Sequence, residues 1–104
     1  MNQKHEFSMV TPEHVAKDLA GRVRRLRLMR RWKQVTLAER AGVSLPSLRR
    51  FEQTGLISLK SLLRLSFTLG RLPDFEGLLQ PPPGDSIAAL EAMATTRRRK
   101  RGSQ

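Results

Sequence analysis

Seven basic side chains stand between positions 22 and 33, namely Arg22, Arg24, Arg25, Arg27, Arg30, Arg31 and Lys33, with no acid among them. Cations this dense repel one another unless an anion lies close, so the chemistry they suggest is neutralisation of phosphate. The same run also reads as an ordinary solvated helix face, and for Arg22 and Arg25 both readings stand. A second cluster, Arg97, Arg98, Arg99, Lys100 and Arg101, forms a basic tail suited to a nucleic acid or to an acidic site on a protein. Bond-making chemistry has little to work with. His5 and His14 are the only histidines, and neither has a nucleophile or carboxylate at useful spacing. Glu39 reads as part of a solvated face, and no glycine-rich phosphate loop is present. The absence of cysteine removes thiolate metal sites, disulfides and cysteine nucleophiles. We therefore expect no catalysis, no metal and no cofactor.

The totals agree with a polyanionic partner. Twenty Lys and Arg against nine Asp and Glu give a formal net charge of +11. A surface so basic binds nucleic acid through counterion release before any base is read. With 104 residues, of which 38% are hydrophobic, there is room for one small core. The first residues lack the apolar run of a secretory signal, and no stretch is long enough to span a bilayer, so a cytoplasmic protein without membrane contact is expected.

The elements that must position these cations centre on Gln34 to Gln53. Leu37, Ala38 and Ala41 mark the inner side of one short helix, Gly42-Val43-Ser44 a break, and Leu48 and Phe51 the inner side of another. Helices this short need each other, and a steep join makes them a helix-turn-helix whose second helix fits the DNA major groove. Val43 is expected to plug the turn, Ser44 to cap the second helix, and Thr54-Gly55 to end it.

Around this pair the chain reads as all-α. Residues 1–10 form a short flexible arm. Thr11, Pro12 and Glu13 start a helix over about residues 12–31, with Val15, Leu19, Val23, Leu26 and Met29 or Arg30 inward and Trp32 closing the run. Ser58 caps a fourth helix with a wide apolar face, Leu59, Leu62, Leu63, Leu65, Ser66 and Leu69, ended by Gly70. A short fifth helix spans Pro73 or Asp74 to Leu79, with Phe75, Leu78 and Leu79 apolar. The folded domain thus covers residues 11–80. Pro81-Pro82-Pro83-Gly84 is an extended spacer, and residues 81–104 hold it, two helical turns over Asp85 to Met93 (Ile87, Leu90 and Met93 on one side) and the basic tail.

From about Leu19 to Leu79, some three fifths of the chain, the sequence resembles the Cro/C1-type helix-turn-helix domain of lambdoid phage repressors and the wider Xre family. The resemblance rests on RRLRLMRRW, on Gln34 three residues before LAERAGVS, on LRRFEQTG and on SLKSLLRLSFTLG. It implies a five-helix, lambda-repressor-like fold. Gln34 matches a glutamine that touches backbone phosphate and braces the first residue of the recognition helix. Ser44, Leu45, Pro46 and Ser47 match that helix's first turn, and Arg49 and Arg50 its exposed side, with Lys33 and Gln53 completing the DNA-binding set. Arg27 and Glu52 match a shielded ion pair between the first and third helices. Leu45 and Pro46 depart from the pattern, since they can touch a thymine methyl but cannot hydrogen-bond a base. Direct readout then falls on Arg50, with Arg49 or Ser47, through the fork that arginine offers to guanine O6 and N7. The alternative is that both arginines hold phosphate alone.

Within the family the short chain and the Leu69 to Phe75 ending look like HipB-type antitoxins, the DNA-binding partners of HipA-type kinase toxins. The implied function is a dimeric repressor on a palindromic operator, autoregulating a toxin-antitoxin operon. A stand-alone phage-type repressor, or a basic adaptor with little sequence selectivity, is the alternative. One such unit reads few bases, so a homodimer with half-sites ~34 Å apart is expected. Ile57, Leu72, Phe75 and Leu79 are candidates for its contact, or for closure of the monomer core.

Overall fold

The computed structural model describes residues 10–84, together with Glu91 and Ala94. The arm before Val10, the expected helical turns over 85–93, His5 and the basic tail lie outside the described residues. The architecture is all-helical, with α1 Pro12–Met29, α2 Gln34–Ala41, α3 Leu45–Thr54, α4 Leu59–Thr68 and a 3-10 helix Leu72–Gly77. Among the described residues there is no strand.

Local chemistry sets most of these boundaries. Thr11, Ser44 and Ser58 each accept a bond on the side-chain oxygen from a backbone N–H three residues on, His14 at 3.1 Å, Ser47 at 3.2 Å and Ser61 at 3.1 Å. Each bond satisfies one of the donors a helix start leaves orphaned. Pro12 and Pro46 sit in first turns, where a missing N–H costs nothing. Gly42 ends α2 with φ 70 and ψ 31, a left-handed conformation that L side chains enter at a cost.

The packing follows from which faces are apolar. α1 lies on α3, α2 touches both α3 and α4, and the 3-10 helix rests on α4. Phe51, Leu37, Leu48 and Leu65 are the largest fully buried side chains, joined by Ala20, Val23, Ala38, Ala41, Val43 and Leu69. Leu48 and Phe51 point inward and Val43 closes the turn, as expected.

Three expectations need correction. The inner side of α1 is Ala20, Val23 and Arg27, with Leu19 and Leu26 partly buried, whereas Val15 and Met29 face solvent. Gly55 explains the rotation. It ends α3 at φ 83 so close to α1 that a Cβ there would lie 2.9 Å from the Ala16 carbonyl carbon. The small side chain of Ala16, whose Cβ would lie 3.1 Å away, is what admits such an approach. Second, Leu59 is exposed, so the apolar face of α4 is wider than the core it serves, which takes Leu65 and Leu69 fully and Leu62 in part. Ser66, also buried, returns its hydroxyl to the Leu62 carbonyl at 2.8 Å.

Third, the fifth helix is 3-10 and starts at Leu72, not at 73 or 74. It is held by bonds such as Asp74 N–H to Arg71 O, 3.1 Å, and ends at Gly77. Six residues are too few to favour an α-helical nucleus. Leu78 is exposed beyond its end, and Leu79 stands fully exposed at φ 60.

Candidate nucleic-acid interface

The site begins with how α3 is held. Arg27 of α1 and Glu52 of α3 form a forked ion pair, Nε to Oε2 at 2.8 Å and Nη2 to Oε1 at 2.9 Å. Their side chains are only 8% and 4% exposed, so the pair is cut off from solvent screening. The remaining Arg27 arm donates to the Trp32 carbonyl at 2.9 Å, and the Gln34 amide donates to Glu52 Oε1 at 2.9 Å. One carboxylate thereby ties α1, the α1–α2 turn and the start of α2 to the far end of α3. The Arg27–Glu52 pair is present where the resemblance implied it. Gln34 differs, because it braces the end of α3 and not its first residue, and its amide N–H faces inward. Its position, half-buried beside a carboxylate that Arg27 leaves incompletely satisfied, accounts for the change.

Held this way, α3 turns Pro46, Ser47, Arg49, Arg50 and Gln53 to solvent. Burial of Leu48 and Phe51 on the opposite side dictates that display, since 49, 50 and 53 fall off the inward stripe of an α-helix. Ser44 is exposed, with its oxygen engaged by Ser47 N–H. Leu45 is the member of this set that also serves the core. It is half-buried and packed on the core, so much of its apolar surface serves the fold.

The cationic run divides in two. Arg22 pairs with Asp18 one turn away at 2.8 Å on an exposed face, which favours its solvated reading. Arg27 is buried, and Arg30 donates to the Leu69 carbonyl at 3.1 Å while lying over the Trp32 ring at 5.1 Å. Arg24, Arg25, Arg31 and Lys33 remain exposed. Arg31 holds φ 58, a left-handed value uncommon for a side chain of its size, where α1 ends.

The sequence did not reveal the surroundings of Trp32. Half-buried, it receives Arg40 of α2 at 4.7 Å as well as Arg30, so two cations from different elements meet one ring. The Arg30, Trp32, Arg40 spacing was the available signal, but only the fold brings α2 back over the ring. His14 is exposed in the first turn of α1, and no group of three or more His, Cys, Asp or Glu among the described residues could hold a metal. No helix among them is long and apolar enough to cross a membrane.

Of the expected dimer residues, Ile57 packs partly buried on the core, and Leu72 and Phe75 line an open groove with Leu63 and Phe67 of α4. Leu79 lies outside both. Comparison with protein-family models, with curated proteins and with solved structures gives no match to this chain.

Proposed function

We propose that this chain is a DNA-binding repressor of lambda-repressor-like, helix-turn-helix type, which reads a palindromic operator as a dimer with α3 as its recognition helix. The observation that carries the reading is the two-sidedness of α3. Leu48, Phe51 and the Glu52 side chain are locked inside, while Ser47, Arg49, Arg50 and Gln53 form a polar, donor-rich outer face. A free-standing solvated helix needs no buried clamp at its far end, whereas one that must enter a groove at a set angle does. Arg50 is the candidate base reader. Lys33, Arg31, Arg24 and Arg25 supply phosphate contacts that raise affinity without selecting sequence. The net charge of +11 supports the same partner.

The antitoxin role, with a HipA-type kinase as protein partner, is the narrower form of this proposal and rests on the family resemblance alone. Selection of bound duplexes from a random pool, followed by competition with unrelated DNA, tests the main reading. A sequence-selective repressor keeps its chosen site under competition. Arg50→Ala is expected to cost about 1–3 kcal/mol at one base position and to relax selectivity there, as loss of a bidentate contact does. Displacement by any duplex, with no change on replacing Arg50, refutes the reading in favour of a basic adaptor.

A further inference from the structure

We infer that the groove between α4 and the 3-10 helix is a self-complementary surface through which two copies of this chain associate about a two-fold axis. The inference extends the dimer of the preceding reading, which supplies the reason for two copies, but it rests on features outside α3.

The groove has two halves. One runs along α4 towards α2 and is lined by Arg40, Lys60 and Arg64, and the other runs towards the 3-10 helix and is lined by Pro73, Phe75 and Glu76. Leu63, Phe67 and Leu72 line both halves and so lie at the middle. Phe67 is 71% exposed there, although it is the largest apolar side chain on α4. Solvent contact for so large an apolar group, continuous with Leu63 and Leu72, marks a surface awaiting cover.

Charge decides what covers it. In a two-fold contact residue i of one copy meets residue j of the other and the reverse, and a residue on the axis meets its own counterpart. An axis along the groove would set like charges together, so charge selects an axis crossing it at Phe67. There the acidic end of each groove meets the basic end of the other, and Glu76 faces the partner copy's Lys60 and Arg64. Asp74 is already joined to Arg71 at 2.8 Å, which leaves Glu76 as the acid that lines this surface among the described residues. Two of the three cations are set in place by the fold, Arg40 over Trp32 at 4.7 Å and Arg64 against the Gly42 carbonyl at 3.4 Å. No residue of α3 lines the groove, so association leaves the outer face of that helix open. A ten-residue helix is only ~15 Å long, so the contact falls at or below the ~800 Å² per partner of a standard interface. The dimer is therefore expected to dissociate on dilution into the micromolar range.

Sedimentation equilibrium of the full chain without DNA tests this. The wild type is expected to shift between the 11.8 kDa chain mass and twice that value over roughly 1–100 μM. Phe67→Glu should weaken association at least about tenfold while the helicity and melting of the dilute monomer stay unchanged, because the side chain is already in solvent there. Lys60→Glu and Glu76→Lys should each weaken it about threefold, and the double reversal should recover most of the loss. A wild type that stays monomeric, a dimer indifferent to Phe67→Glu, or a double reversal no better than its singles overturns the proposal. So does a dimer broken equally by Leu90→Lys, since the partner's segment beyond the proline spacer then fills the groove. A monomer that still selects its operator defeats this inference and the dimeric part of the DNA reading while leaving α3 as the reader, whereas a dimer through this groove without selectivity defeats only the DNA reading.

Discussion

α3 and α4 have the same length, ten residues each, yet they treat their apolar side chains in opposite ways. α3 carries two large ones beyond its first residue, Leu48 and Phe51, and buries both. α4 carries five leucine and phenylalanine residues, buries Leu65, part-buries Leu62 and Leu63, and leaves Leu59 and Phe67 in solvent. In α3 the apolar stripe is as wide as the core requires, and the remaining positions are free to be polar and cationic. In α4 the stripe is wider than the core, and among the described residues nothing covers the surplus. The contrast assigns different tasks to the two outer faces. On the proposed reading, the first meets a hydrated, charged partner and the second loses its water against another copy.

The largest effects belong to the clamp beneath α3. Glu52→Ala leaves Arg27 buried without its carboxylate and is expected to cost about 3–5 kcal/mol in urea denaturation, and Arg27→Ala should cost as much. A cost below ~1 kcal/mol, the range of an exposed pair, means that the pair is solvated and that α3 is not held as described. The next effect sets the two sides of α4 against each other. Leu65→Ala should cost about 2–5 kcal/mol through lost burial and a cavity, while Phe67→Ala should stay within about 0.5 kcal/mol for the dilute, monomeric chain. Equal losses at the two positions erase the distinction between the faces. Gly55→Ala comes third, at about 2–4 kcal/mol, because it adds a Cβ both to a left-handed backbone and against the Ala16 carbonyl carbon.

Those magnitudes also show which features were legible beforehand. Thr11, Ser44 and Ser58 announce helix starts because an N-cap bond spans three residues, and Gly42 announces a helix end for an equally local reason. Leu48 and Phe51 are legible through the same short-range periodicity. The Arg27–Glu52 pair, 25 residues apart, came from family resemblance and not from spacing. What stayed hidden depends on contacts between distant segments. The tilt of α1 toward Ala16 is decided by Gly55, nearly forty residues later. The inward turn of the Gln34 amide is decided by the vacant share of Glu52, and the exposure of Phe67 by how little core α4 meets. Periodicity states that a residue is apolar and on a given side. It does not state whether another element arrives there.

Arg31 provides the smallest test and the one that separates stability from recognition most directly. Its φ of 58 places an L side chain where glycine is cheaper by about 1 kcal/mol. Its N–H closes the end of α1 on the Leu28 carbonyl at 2.8 Å, and this bond survives any substitution that keeps the backbone path. Arg31→Gly should therefore raise stability by about 0.5–1 kcal/mol, a gain measurable as a higher urea midpoint at constant slope. The same change removes an exposed cation beside Lys33 and the start of α2. If that cation meets phosphate, the dependence of DNA affinity on salt should fall by about one counterion, uniformly across sequences. A gain in stability with an unchanged salt slope assigns Arg31 to solvent and confines phosphate binding to its neighbours. Loss of stability instead means that the positive φ is not a strained conformation that glycine relieves, and that the arginine side chain itself supports the α1–α2 turn.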